Sequence, residues 1–226
     1  MMIKAVLLDM DNTLLVNPDI IFAKAFLEQF DQHMKQQLQV EQASVGFRQA
    51  IQRMSQARDG SESNIALILR TLCEFMQRDT ETIQAAWESF YAEKYPTLRE
   101  YISTVAGASD LIQKLVADGF QVVIATNPIY PETAIKQRMV WANLPTDDNL
   151  YTLITHAENM HSAKPNPAYF AEILKYIGVE PHEALMVGDS LKSDIIPAQT
   201  LGIHTYQIHD HALTAFIDNL SHITEK

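Results

Sequence analysis

The stretch Ile3-Lys4-Ala5-Val6-Leu7-Leu8-Asp9-Met10-Asp11-Asn12-Thr13 decides how the chain is read. A nearly continuous apolar run stops abruptly at two aspartates. A strand buried on both faces of a parallel sheet has this pattern, because helices cover both of its sides. Working outward, similar runs recur at Phe120–Ala125, Leu150–Ile154, Ala184–Val187 and Ile203–Tyr206. Helical patterns lie between them: Ala108–Asp118 stops at Gly119, Pro131–Asn143 comes next, Pro167–Ile177 stops at Gly178, and Leu191–Leu201 at Gly202. Alternating strand and helix predicts an α/β fold, a Rossmann-like parallel sheet with helices on both faces.

Residues 16–99 break that alternation. Asn17 is placed to cap a helix whose first residue is Pro18. Phe22, Phe26, Phe30, Met34 and Leu38 then recur every four residues. Further helices are expected at about 41–57, 62–78 and 80–95, the last behind a capping Asp79. Ile65, Ile68, Leu69, Leu72 and Met76 mark one apolar stripe; Ile83, Trp87, Phe90 and Lys94 mark another face. These stripes predict a helical bundle inserted into the sheet domain and packed by its own core. The expected division is residues 1–15 with 100–226 as the core, and 16–99 as the insertion.

The 226 residues carry 17 Lys+Arg against 28 Asp+Glu, a formal charge of −11. Such an acidic balance argues against a nucleic-acid polymer or an anionic membrane as partner, since both need clustered positive charge. No run approaches the roughly 20 apolar residues that span a bilayer. The short N-terminal run is interrupted too soon for a signal peptide. One cysteine, Cys73, excludes an internal disulfide framework and fits a reducing cytoplasm. A cytosolic protein is expected.

Ligands of open α/β sheets bind beyond the carboxyl ends of the strands, so the residues just past each strand matter most. Asp9 and Asp11 come after the first; Thr126 and Asn127 come after the run at 120–125; Asp189 comes after Gly188, with Asp194 slightly further on. Lys164 stands in the loop Ala163-Lys164-Pro165, just before a helix. Crowded carboxylates repel one another, and a hard divalent cation such as Mg²⁺ relieves that cost with oxygen ligands. A carboxylate can attack phosphorus, and a second carboxyl nearby can serve as proton donor and acceptor. A hydroxyl, a lysine and backbone N–H groups can hold the non-reacting phosphate oxygens.

Together these residues resemble the four motifs of the haloacid dehalogenase superfamily, in family order. Asp9-Met10-Asp11-Asn12-Thr13 is similar to its first motif, Asp-x-Asp-x-Thr. Thr126 is similar to the second and Lys164 to the third; Gly188-Asp189 through Asp194 is similar to the fourth, Gly-Asp-x₄-Asp. The resemblance implies Asp9 as nucleophile and metal ligand. It implies Asp11 as general acid/base that touches the metal through its backbone carbonyl. Thr126, Asn127 and Lys164 would bind the phosphoryl group, Asp189 would ligate Mg²⁺, and Asp194 would support the metal shell or Lys164. The helical insertion corresponds to the family's C1 cap, and the implied partner is a small phosphorylated metabolite. Asp11 favours phosphate transfer over dehalogenation, because haloalkanoic dehalogenases lack this second aspartate.

The implied reaction is Mg²⁺-dependent hydrolysis of a phosphate monoester through an aspartyl-phosphate. A phosphomutase, which returns the phosphoryl group to a sugar, shares these residues. Rivals from other classes are a phospho-accepting signalling domain and a catalytically silent binding protein; the paired acids in one loop and the complete motif set count against them. Sugar phosphates, nucleoside monophosphates and phosphoglycolate all stay open as substrates, and oligomeric state is not encoded in the motifs. His204, His209 and His211 lack an established zinc spacing and are expected on a solvated tail. His156, His161 and the arginines Arg48, Arg53, Arg58 and Arg70 are expected at the surface. Tyr130 is a candidate substrate contact, and Asp59-Gly60-Ser61 a candidate loop at the pocket mouth.

Overall fold

A computed structural model describes residues 2–56 and 59–224, which leaves Arg58 outside the described residues. Five parallel strands form the main sheet: β1 (Ala5–Leu8), β4 (Gln121–Ile124), β5 (Leu153–Ile154), β6 (Ala184–Gly188) and β7 (His204–Gln207). Their order across the sheet is β5-β4-β1-β6-β7. The chain runs outward from β1 through β4 to β5, then returns to β6 on the other side of β1. The order reverses at β1, and a crevice for ligands opens at such a switch point. In β1, Val6 and Leu8 join one apolar cluster while Ala5 and Leu7 join another. The first strand is therefore buried on both faces, as its apolar run requires.

Helices cover both sides: α5 (Ala108–Ala117), α6 (Glu132–Trp141) and α9 (Leu213–Thr224) contribute to the first cluster, α7 (Pro167–Ile177) and α8 (Ile196–Thr200) to the second. Each of the five strands differs from its expected run at one or both ends, β5 and β7 most informatively. Residues 148–150 form a 3₁₀ turn that shortens β5, and β7 is shifted one residue along. The helix expected at Leu191–Leu201 begins as a π-turn over Leu191–Ile195, with Ser190 as its cap. Both Asp194 and Ile195 N–H groups share the Ser190 carbonyl, which widens the first turn. Such π segments concentrate at functional sites.

Between β1 and α5 lie four helices, α1 (Asp19–Leu38), α2 (Ala43–Met54), α3 (Asn64–Met76) and α4 (Thr80–Glu93), followed by a 3₁₀ segment at Tyr95–Tyr101. Where the chain leaves and rejoins the sheet, β2 (Leu15–Val16) pairs antiparallel with β3 (Ser103–Thr104). Asp79 caps α4 by accepting from the Thr82 N–H at 2.9 Å. Asn17 does not cap α1: Pro18 occupies that position, with no side-chain bond to the helix end. Phe22, Phe26, Phe30 and Met34 are buried, and the Phe26 ring packs against Phe30, Phe47, Phe90 and Tyr95. This aromatic core is continuous with the sheet cluster that holds Val6 and Leu8.

Candidate active site

The loop after β1 is set by one carbonyl. Met10 O accepts from the N–H groups of Thr13, Leu14 and Leu15, closing a tight turn. Asn12 takes φ 58°, a left-handed conformation that Asn tolerates better than most residues. The turn sends the Asp9 and Asp11 carboxylates to different partners. Lys164 donates to Asp9 Oδ1 at 2.7 Å and to Asp194 Oδ1 at 2.6 Å. All three side chains are nearly solvent-free, at 3%, 8% and 2% exposure respectively. Asp194 Oδ2 also accepts from the Ser190 N–H at 3.0 Å. Gly188 makes this approach feasible, since a Cβ there would stand 2.4 Å from Asp194 Oδ2.

Asp9, Asp189 and Asp194 bring carboxylate oxygens within 4.8 Å of one another. Burial and the neighbouring Asp194 and Asp11 push the Asp9 carboxyl well up, against the pull of Lys164. Burial and Asp194 push Asp189 up to about 6. The lysine is pushed up as well: against the cost of burial, Asp9 and Asp194 hold it firmly charged. Among the described residues, Asp9 Oδ2 is buried with no hydrogen-bond partner, as is Asn127 Oδ1. A buried carboxylate oxygen without a partner, in a cluster with one cation for three acids, matches what a hard divalent cation supplies.

Asp11 points elsewhere. Its Oδ2 accepts from Arg138 Nη1 at 3.0 Å, and its Oδ1 accepts from Arg138 Nη2 and from Asn17 Nδ2. Arg138, on α6, is only 1% exposed and lies over the rings of Phe22 and Tyr130 at 5.3 and 5.8 Å. Asn17 is thus a ligand of Asp11 rather than a helix cap. The correction has a plain cause: its amide satisfies a carboxylate instead of the first N–H groups of α1.

A cavity of about 370 Å³ connects these groups. Asp9, Asp11, Asn127, Lys164, Asp189 and Asp194 line it, as do Asp19, Phe22 and Tyr130. Six of the seven residues singled out from the sequence are therefore brought together. Thr126 is buried and does not line the cavity; its carbonyl accepts from Thr155 Oγ1 and Tyr169 Oη, each at 2.8 Å. Asp59 and Ser61 border a separate surface depression beside Arg53 and Arg70, so that loop does not form the mouth. Arg53 and Arg70 pair with Glu74 and, for Arg70, Glu62. His156 and His161 bond to Glu158 and Glu172, outside the cavity. His211 is no solvated tail residue: its Nδ1 lies 2.9 Å from the Asn12 carbonyl and donates to it.

The chain is similar to known proteins over most of its length. A family model described as haloacid dehalogenase-like hydrolase matches residues 3–202. The chain belongs to the haloacid dehalogenase-like hydrolases. A glyceraldehyde 3-phosphate phosphatase of Pyrococcus furiosus is 32% identical over 133 residues, covering 58% of this chain and 50% of that protein. Phosphoglycolate phosphatase 1 of Pseudomonas aeruginosa is 27% identical over 154 residues, covering 64% and 53%. The chain thus spans about half the length of the curated relatives it matches. Among solved structures, a 2-haloacid dehalogenase from Pseudomonas syringae aligns with a TM-score of 0.62 at 22% identity, covering 98% of this chain and 99% of that one. A HAD family enzyme from Bacteroides thetaiotaomicron, in complex with magnesium and inorganic phosphate, aligns at 0.53 and 19%, covering 92% and 94%. Both share the fold of this hydrolase. No described helix is long and apolar enough to cross a membrane.

Proposed function

We propose that this hydrolase releases phosphate from a small phosphate monoester through a phospho-Asp9 intermediate, with Mg²⁺ as cofactor. The observation that carries the proposal is the unpartnered, buried Asp9 Oδ2 in a cavity that also holds Lys164 and a second acid, Asp11. Asp9 is the nucleophile in this reading. Its oxygen bonds to phosphorus as the ester P–O bond breaks, and Asp11 delivers a proton to the departing alkoxide. Water then attacks the phospho-aspartate, Asp11 takes the proton, and phosphate leaves with Asp9 restored. Lys164, anchored by Asp194, neutralises negative charge beside the reacting oxygen. Asn127, which lines the cavity, belongs to the phosphate-binding side in this reading, with Thr126 packed behind it rather than on the wall.

Mg²⁺, held by Asp9, Asp189 and the Asp11 carbonyl with Asp194 in support, would supply charge neutralisation of the phosphoryl oxygens. The hard oxygen donors of the acidic cluster support that choice. Both Asp11 oxygens accept hydrogen bonds here, which is the arrangement of a base. Asp11 Oδ2 accepts a single bond and keeps a second lone pair for a proton, while the guanidinium fixes the carboxyl in place, so Arg138 is a positioning residue in the cycle. Residues 16–99 are proposed to act as a cap over the core formed by 1–15 and 100–226. Asn17, Asp19, Phe22 and Ala23 of the insertion line the same cavity as the strand-end residues, which supports that division. Small phosphorylated metabolites in the cytosol are the proposed setting, supported by the free Cys73 and the acidic composition.

The test is a panel of phosphorylated metabolites with Mg²⁺, run for the natural chain and for Asp9→Asn. Phosphate release should fall at least about 10³-fold in the variant, and chelation should abolish it until Mg²⁺ is restored. Equal release by both proteins would sink the mechanism. Transfer of phosphate to a sugar instead of water would identify a mutase.

A further inference from the structure

Five carboxylates border the catalytic cavity: Asp9, Asp11, Asp19, Asp189 and Asp194. Lys164 is shared by Asp9 and Asp194, and Arg138 serves Asp11 from behind the wall. Together with a divalent cation, these two side chains offset four of the five negative charges. The one in excess is Asp19. It opens α1 and is exposed, whereas Asp9, Lys164 and Asp194 form the buried end. Its carboxylate accepts a 3.2 Å hydrogen bond from the neutral Asn12 amide. Among the described residues no basic side chain bonds to it; Arg138, already engaged by Asp11, reaches it only through space. The other walls are uncharged: Asn12, Asn17 and Ser190 offer hydrogen bonds, while Phe22, Ile129 and Tyr130 offer apolar surface.

A monoester whose phosphoryl group sits with the buried cluster extends its leaving group toward Asp19. A second negative charge on that leaving group meets a like charge and no free cation. Building in repulsion of this kind is one of the two ways a site discriminates. We infer, resting on the phosphatase reading above, that this cavity selects phosphate monoesters with a neutral or cationic leaving group and rejects those that carry a carboxylate, with Asp19 setting the preference. Phosphoglycolate, the compound in the name of the Pseudomonas aeruginosa relative, carries such a carboxylate.

Three two-carbon monophosphates of nearly equal size isolate charge from shape: 2-phosphoglycolate, 2-hydroxyethyl phosphate and phosphoethanolamine. With Mg²⁺ present, kcat/KM for 2-hydroxyethyl phosphate should exceed that for phosphoglycolate by about tenfold or more, the scale of one uncompensated charge near the surface. Phosphoethanolamine should match or exceed the neutral ester. Asp19→Asn should narrow the neutral-to-carboxylate ratio to about twofold, and Asp19→Lys should invert it. Added salt should narrow it in the natural chain as well. Where these small esters turn over slowly, their Ki values against p-nitrophenyl phosphate hydrolysis report the same order. Equal constants for the three compounds, a preference for phosphoglycolate, or a ratio that Asp19→Lys leaves unmoved would overturn the inference. Failure to hydrolyse p-nitrophenyl phosphate as well would instead count against the phosphatase reading itself.

Discussion

Two buried cations serve the carboxylates of one loop, and they do so under different charge balances. Lys164 comes from the loop before α7 and is shared between Asp9 and Asp194, with Asp189 close by. That cluster has more acid than base, and Lys164, Asp9 and Asp194 are almost completely withdrawn from water. Arg138 comes from the last turn of α6 and bonds to a single carboxylate, Asp11, which keeps 30% exposure. That pair is balanced one to one and is clamped by two aromatic rings. An unbalanced cluster stores electrostatic cost that a metal ion or a phosphoryl group can relieve, whereas a balanced pair holds a side chain in place. One region is built to bind; the other is built to aim.

Substituting each cation is the strongest way to break this contrast. Lys164→Met leaves two buried carboxylates facing each other. It should cost about 3–5 kcal/mol of stability in a urea titration, together with nearly all phosphate release. A loss below about 1 kcal/mol would contradict the unbalanced-cluster picture. Arg138→Met should cost less, about 2 kcal/mol, because Asp11 retains contact with water. Its signature is kinetic: kcat should fall on the order of 10²-fold with little change in KM, since misaimed acid–base groups lose rate rather than binding. A variant whose KM rises instead would make Arg138 a substrate ligand.

A third substitution probes the geometry of the Lys164 cluster from the backbone side. Gly188→Ala drives a methyl group into Asp194 and should destabilise by about 1–3 kcal/mol. It should also lower Mg²⁺ affinity in a calorimetric titration, while the Arg138–Asp11 pair is untouched. The mildest effect is one of pH. Asp189 is raised from 3.8 to about 6, so the metal-free folded state binds its proton more tightly than the unfolded chain does. This group's contribution to stability is present below about pH 4 and is lost as pH rises through about 6. Mg²⁺ competes with that proton, so apparent Mg²⁺ affinity should weaken progressively below pH 6. Thermal shifts induced by Mg²⁺ at pH 5 and pH 7 measure the difference; equal shifts would remove Asp189 from the metal site.

The same division separates residues legible in the chain from those that were not. Asp9, Lys164 and Asp189 each sit at a strand end or in a loop just before a helix, with Asp194 in the first turn that follows Asp189, and such positions point into the crevice of a parallel sheet. Arg138 left no comparable mark. It lies in the last turn of a helix, directly after Lys136 and Gln137, where a surface arginine is the ordinary reading. Asn17 was misleading, because an Asn before Pro is a sound capping signal until a carboxylate takes its amide. Thr126 occupies its expected position but is packed away from the cavity wall. The His211 contact with Asn12 spans nearly the whole chain and had no local signature.

The sequence by itself determined the parallel sheet, the helical insertion and the loops that carry the acids. Those features arise from local periodicity and from residue types at strand ends, which a single segment displays. Only the tertiary structure decided that Arg138 pairs with Asp11 across 127 residues, that Asn17 joins them, and that Asp19 lines the cavity with no basic side chain bonded to it among the described residues. Periodicity reveals which face of an element is buried, but not which distant group it meets there. Long-range electrostatic pairing is settled by how the elements pack.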